Sequence, residues 1–196
     1  MQTCISLLRR LKWVLPAVVL IGCLAPAVYH LDTTITSPPQ AQANSFEDEL
    51  MAVSFQVTQD SIALKLKNKT HSPLKILWTQ SNFIDVEGQP HGITHMEFRQ
   101  PPRGVISTPS TSSVPPGAEL SDTIILFTRP GPTGMLEPAG PFFEGFGGGS
   151  SQWSEERLRK TYTGKTFVLL LTIQSDKVTP YRFRFRINDF SLIKSR

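Results

Sequence analysis

His91 and His95 stand four residues apart in the segment His91-Gly92-Ile93-Thr94-His95. Drawn as a strand, the segment puts both imidazoles on one face with Ile93 between them. Asp85 or Glu97 can join them, and a set of imidazole and carboxylate ligands suits Zn²⁺ or Cu²⁺. Two histidines so spaced are also ordinary hairpin residues. They are therefore weak candidate ligands, and no metal site and no cofactor is assigned.

Arg182, Arg184 and Arg186 alternate with Phe183 and Phe185, so a strand here carries three guanidinium groups on one face. They are candidate contacts for an anionic partner, such as lipid headgroups or an envelope polyanion. The competing reading is a solvated face paired with acids on neighbouring strands. Phe142, Phe143, Phe146 and Trp153 sit in or beside a stretch rich in Gly and Pro. Aromatic residues in such a loop either cover an open end of the fold or form a partner contact.

Catalytic patterns fail on inspection. Gly145-Phe146-Gly147-Gly148-Gly149-Ser150 breaks the dinucleotide-binding spacing at Ser150, and no βαβ unit surrounds it. Gly164-Lys165-Thr166 ends like a phosphate-binding loop, but Arg159 stands where its first glycine belongs. No nucleophile-elbow motif presents a serine. Glu155 and Glu156 are adjacent, which suits the first turn of a helix better than a carboxylate pair. No catalytic residue is assigned, and an enzyme is not expected.

The elements that hold these residues begin with the N-terminus. Arg9, Arg10 and Lys12 precede an apolar run from Trp13 to Leu20, the layout of an export signal. Leu20-Ile21-Gly22-Cys23 then resembles the lipobox of bacterial lipoproteins, and that resemblance implies lipidation at Cys23. Two other fates stay open. Ala41-Gln42-Ala43 fits a conventional cleavage site and would release a soluble protein beginning at Asn44. Leu11 to Leu31 has about the length of a membrane span and could stay as an uncleaved anchor helix. Each fate puts the folded part outside the cytoplasmic membrane. The expected partner is the membrane, through a lipid or an anchor.

The chain has 196 residues, of which 173 follow Cys23, enough for one domain with a core. The formal charge of +4 owes three bases to the signal, and the rest holds 17 bases against 16 acids. That balance gives no reason to expect nucleic acid. Cys4 and Cys23 are the two cysteines, so the body has neither a disulfide nor a thiolate site.

Residues 24–49 read as a flexible tether of Thr, Ser, Pro, Gln and Ala, ending in the acids Glu47, Asp48 and Glu49 as a solvated lead-in. Residues 50–190 read as the folded domain, with a Gly/Pro-rich insert at 129–152, and 191–196 as a tail. Met51, Val53, Phe55 and Val57 alternate, as do Ile62, Leu64 and Leu66, which predicts two strands. Further strands are expected over 74–78, 81–86, 91–98, 105–108 and 119–128. Val114-Pro115-Pro116-Gly117 reads as a turn with positive φ at Gly117. A short helix is expected over 153–162, and residues 166–174 and 180–188 close the chain as a hairpin. Roughly seven to nine short strands with one helix predict an all-β fold, an antiparallel immunoglobulin-like sandwich.

Several of these pieces together resemble a group of small bacterial lipoproteins with one sandwich domain. They are Asn68-Lys69-Thr70, Ser72-Pro73-Leu74-Lys75-Ile76, Trp78, Phe83-Ile84-Asp85, Gly88, His91, the Val114–Gly117 turn and Gly164-Lys165-Thr166. The resemblance spans about Phe55 to Ile187 and implies fold and location, with no catalytic residue; the Gly-rich insert departs from it. The function expected is a non-enzymatic, exported and lipid-anchored binding or accessory module of the bacterial envelope, with an envelope protein as a candidate partner. The alternatives are a periplasmic metal-handling protein using His91 and His95, or a structural envelope protein without a ligand.

Overall fold

Met51, Val53, Phe55 and Val57 are buried while Ser54 and Gln56 are exposed, and this period of two recurs through the chain. The computed structural model describes residues 28–95, 110–126 and 155–193. These form β1 (Val28–Ser37), β2 (Ser45–Glu47), β3 (Met51–Thr58), β4 (Ile62–Asn68), β5 (Leu74–Leu77) and β6 (Asn82–Ile84). There follow β7 (Pro90–His95), β8 (Thr111–Val114), β9 (Glu119–Leu126), the helix α1 (Glu155–Tyr162), β10 (Thr166–Gln174) and β11 (Val178–Ile193).

The described strands pair antiparallel in the ring β11-β1-β3-β4-β9-β7-β6-β10, and β10 pairs back onto β11. One sheet thus meets its own edge as an eight-stranded barrel. The all-β, antiparallel expectation holds. The expected two stacked sheets are replaced by a single closed one. Inward and outward positions alternate in either arrangement, so periodicity cannot tell them apart.

β1 corrects the expected tether. Residues 24–49 hold β1 and β2, and β1 pairs with β11 along most of its length, from Val28↔Ile193 to Ser37↔Arg184. Leu31, Thr33 and Ile35 point into the core and are buried. β1 pairs with β3 at His30 and Leu31, and β2 takes over the same edge of β3 from Ser45 to Glu47. β11 also runs past the expected end of the domain. Its register slips at Asn188, so Ile187 and Phe190 both point inward although they lie three apart.

β5 and β6 are two halves of one bent strand laid along β10. A 3-10 turn, Trp78–Gln80, makes the bend. The Ser81 hydroxyl donates to Leu77 O and accepts from Thr172 N, and the Thr172 hydroxyl donates to Gln80 O. The bend is therefore latched to β10 through polar groups that an uninterrupted ladder would have satisfied.

The core is an aromatic row running down the barrel. Phe46 packs on Phe183, Phe55 on Phe183 and Phe185, and Phe167 stacks on Phe185 at 4.9 Å between centroids. Burying a ring of this size contributes about 2–3 kcal/mol. Leu158 and Tyr162 of α1 join this cluster, with Tyr162 against Phe190. Gly117 has φ of 69°, as the Pro-Pro-Gly turn requires, and Ala118 N donates to Pro115 O.

One polar side chain ties the turns together. The Pro-Pro-Gly turn carries the chain from β8, which pairs with β5, to β9, which pairs with β4, and Asn68 at the end of β4 is buried beside it with no exposed surface. Its amide donates to Ser72 O and Val114 O, and its carbonyl accepts from the Thr70 backbone and hydroxyl. All four of its hydrogen-bonding positions are used.

Candidate functional site

The inward face of β7 carries Ile93 and His95, with His91 on the same side near the mouth of the barrel. His91 is partly exposed and its Nε2 lies 2.6 Å from Asp85 Oδ2. The other oxygen of Asp85 accepts from Glu87 N and Gln89 N, so the carboxylate shapes the β6–β7 turn as it holds the ring. His95 is fully buried. Its Nδ1 lies 2.7 Å from Asp122 Oδ2, and its ring stacks on Trp78 at 4.6 Å. Trp78 donates to the Ser112 hydroxyl, and Asp122 Oδ1 accepts from Thr123 N.

The two histidines share a face, as their spacing requires, but each turns to its own carboxylate. Four residues along a strand span about 13 Å, whereas ligands of one ion stand within about 4 Å of each other. That distance is why the spacing does not make a pair of ligands. Among the described residues no three His, Cys, Asp or Glu side chains come together as a metal cluster. Glu97 lies outside the described residues.

Arg182, Arg184 and Arg186 are exposed on the outer face of β11. Their cross-strand neighbours on β10 are Leu170, Val168 and Thr166, and on β1 Ser37 faces Arg184 and Thr34 faces Arg186. None of these carries charge. Among the described residues no acidic side chain makes an ion pair with any of the three. The face is solvated, and the described residues beside it supply no acid that pairs with it.

The acids Glu47, Asp48 and Glu49 were expected as a solvated lead-in, and Asp48 corrects this. One oxygen of Asp48 accepts from Leu50 N and Met51 N, both at 2.8 Å. The other accepts from the Tyr181 hydroxyl at 2.7 Å. Lys69 pairs with Glu47 at 2.7 Å and donates to Asp48 O. Burial, then the hydrogen bond and the charge of Asp48, push the Tyr181 hydroxyl above its ordinary range. These groups border an open groove of about 760 Å³ whose other wall includes Pro38, Phe46, Pro180 and Arg182. The sequence signal for Asp48 was its place two and three residues before the first paired amides of β3, an Asx-type cap.

Cys23, Phe142, Phe143, Phe146 and Trp153 lie outside the described residues, as do the signal segment 1–23 and the insert 129–152. No described helix is long and apolar enough to cross a membrane. No family model, curated protein or solved structure matches the chain.

Proposed function

We propose that the chain is an exported barrel module of the bacterial envelope, anchored by lipid at Cys23, and that it binds a partner or surface without performing chemistry. The place of β1 carries this reading. Cleavage after Ala43 would remove β1, uncover Leu31 and Ile35, and leave most of one edge of β11 unpaired. An uncleaved span over 11–31 would draw Val28–Leu31 out of the ring, where Leu31 has no exposed surface. Processing before Cys23 leaves every strand in place and puts the anchor five positions ahead of Val28.

The absence of chemistry is supported by how the polar groups are used. Asp122 holds His95 against Trp78 inside the wall, and Asp85 is committed to two turn amides as well as to His91. Both pairs behave as cross-links between strands.

The test is the mass and location of the mature chain made in a bacterial host. We expect a membrane-fraction species that begins at a lipid-modified Cys23. A soluble species beginning at Asn44, or one retaining residues 1–22, would overturn the anchor.

A further inference from the structure

We propose that the outer face of the β1–β11 ribbon is a docking surface for an anionic lipid bilayer, with Arg182, Arg184 and Arg186 as its contact residues. The inference rests on the lipid anchor of the proposed function and assigns the orientation of the barrel on its membrane.

Charge is the first argument. Three guanidinium groups stand on alternate outward positions, about 7 Å apart along the strand. Their neighbours across both ladders are Thr, Ser, Val and Leu, so nothing beside them on the sheet neutralises them. Like charges at this spacing repel, and the array is complementary to a surface of closely spaced anionic headgroups. Two acids stand outward on the same ribbon, both on the far side of the register slip from the arginines: Asp189, which pairs with Arg159 at 2.9 Å, and Asp32 beside it. Glu47, Asp48 and Glu49 line the groove that Arg182 borders. Arg184 and Arg186 are thus the pair least opposed.

The apolar neighbours are the second argument. Val168 and Leu170 stand beside Arg184 and Arg182, and Ile84 stands across from Val168. Val168 is itself buried, while Leu170 and Ile84 are only half-buried. A face that joins arginines to partly exposed aliphatic groups suits the headgroup boundary, where the stems rest on apolar surface and the charged ends meet phosphate.

Reach is the third. Val28 pairs with Ile193 at the anchor end of the ribbon, and Arg186 lies seven residues back along β11, about 23 Å away. The steps from Cys23 to Val28 extend at most about 18 Å. A barrel standing on its anchor end would hold the arginines beyond the Debye length of about 8 Å, where their charge does nothing. With a leash of that length the ribbon can instead lie along the bilayer, and only then do the arginines meet the headgroups.

The ring is complete within residues 28–193, so the unlipidated chain 24–196 contains all of it. The experiment is sedimentation of this chain with vesicles of phosphatidylcholine alone and with added phosphatidylglycerol. We expect binding to the anionic vesicles only, weakening as salt rises. Each arginine near such a surface changes binding about fivefold, so Arg184→Gln/Arg186→Gln should lose about 25-fold and the triple variant with Arg182→Gln about a hundredfold. Lys65→Gln/Lys67→Gln/Lys75→Gln removes equal charge on β4 and β5 and should bind within about twofold of the parent. Circular dichroism checks that each variant is folded; if the triple variant unfolds, the double variant decides. Binding equal to the parent in the double variant, equal loss in the lysine variant, or binding to a soluble polyphosphate but not to vesicles would each overturn the proposal. Because the tested chain has no lipid, these results are independent of where the natural chain is cleaved.

Discussion

The Tyr181 hydroxyl donates to Asp48 at 2.7 Å across a separation of 133 residues, joining the β10–β11 hairpin to the entry of β3. The folded state favours the protonated phenol, whose ionisation is pushed upward by burial and by Asp48. An unfolded tyrosine ionises near pH 10. The stabilisation is therefore whole below about pH 10 and is lost as pH rises above that value. Tyr181→Phe should cost about 1 kcal/mol at neutral pH and should flatten the fall in stability on the alkaline side. Urea unfolding at a series of pH values checks this, and an unchanged alkaline slope would refute it.

Asn68 uses every donor and acceptor of its side chain, fully buried at the end of β4. Asn68→Asp would set a carboxylate against the carbonyls of Ser72 and Val114. We expect a loss of about 3 kcal/mol for this change and a similar loss for Asn68→Ala, which leaves backbone groups unpaired. The measurement is the urea midpoint at constant slope. The same burial keeps this Asn-x-Thr sequence from acting as a glycosylation acceptor in the folded chain.

Asp122→Ala should cost about 3 kcal/mol, because it removes the carboxylate that holds Nδ1 of the fully buried His95 ring. His91→Ala, at the partly exposed mouth, should cost about 1 kcal/mol or less. Since the two histidines stand far apart, the double change His91→Ala/His95→Ala should lose the sum of its parts within about 0.5 kcal/mol. A strong coupling between them, or one zinc ion bound per chain and lost in either single variant, would contradict the separation described.

A chain starting at Asn44 should fail to unfold cooperatively and should aggregate, whereas one starting at residue 24 should fold. Without β1, most of one edge of β11 presents unpaired amides and carbonyls beside bared apolar groups. Thermal melts of the two chains decide the matter. A cooperative transition in the shorter chain would show that the ring closes without its first strand.

Much of this molecule was legible from residue order. The inward series of β3, β4, β10 and β11 is plain because large apolar residues alternate with Lys, Arg, Ser and Gln. β1 was hidden by its composition. Its inward residues are Leu31, Thr33 and Ile35, set among Thr and Asp and close to Pro38 and Pro39, which resembles a tether. β11 seemed to stop at Asn188-Asp189 because a polar pair looks like a turn, yet there it marks a slip in register. The partners of His95 and Tyr181 lie 27 and 133 residues away, and no local pattern points to either. Ring closure is likewise a property of which edges meet, not of any one strand.

Among the described strands, the one that joins the ends of the ring is the first to be synthesised, and its main partner is the last. β1 therefore waits, whichever compartment it waits in, until Val178–Ile193 has followed it. Closure joins segments about 150 positions apart, the kind of long-range pairing that makes folding slow. In that interval the nascent polypeptide exposes an adhesive border, so a chaperone that masks it until β11 arrives would raise the yield of native protein, and stop codons within Val178–Ile193 should be as damaging as those far upstream.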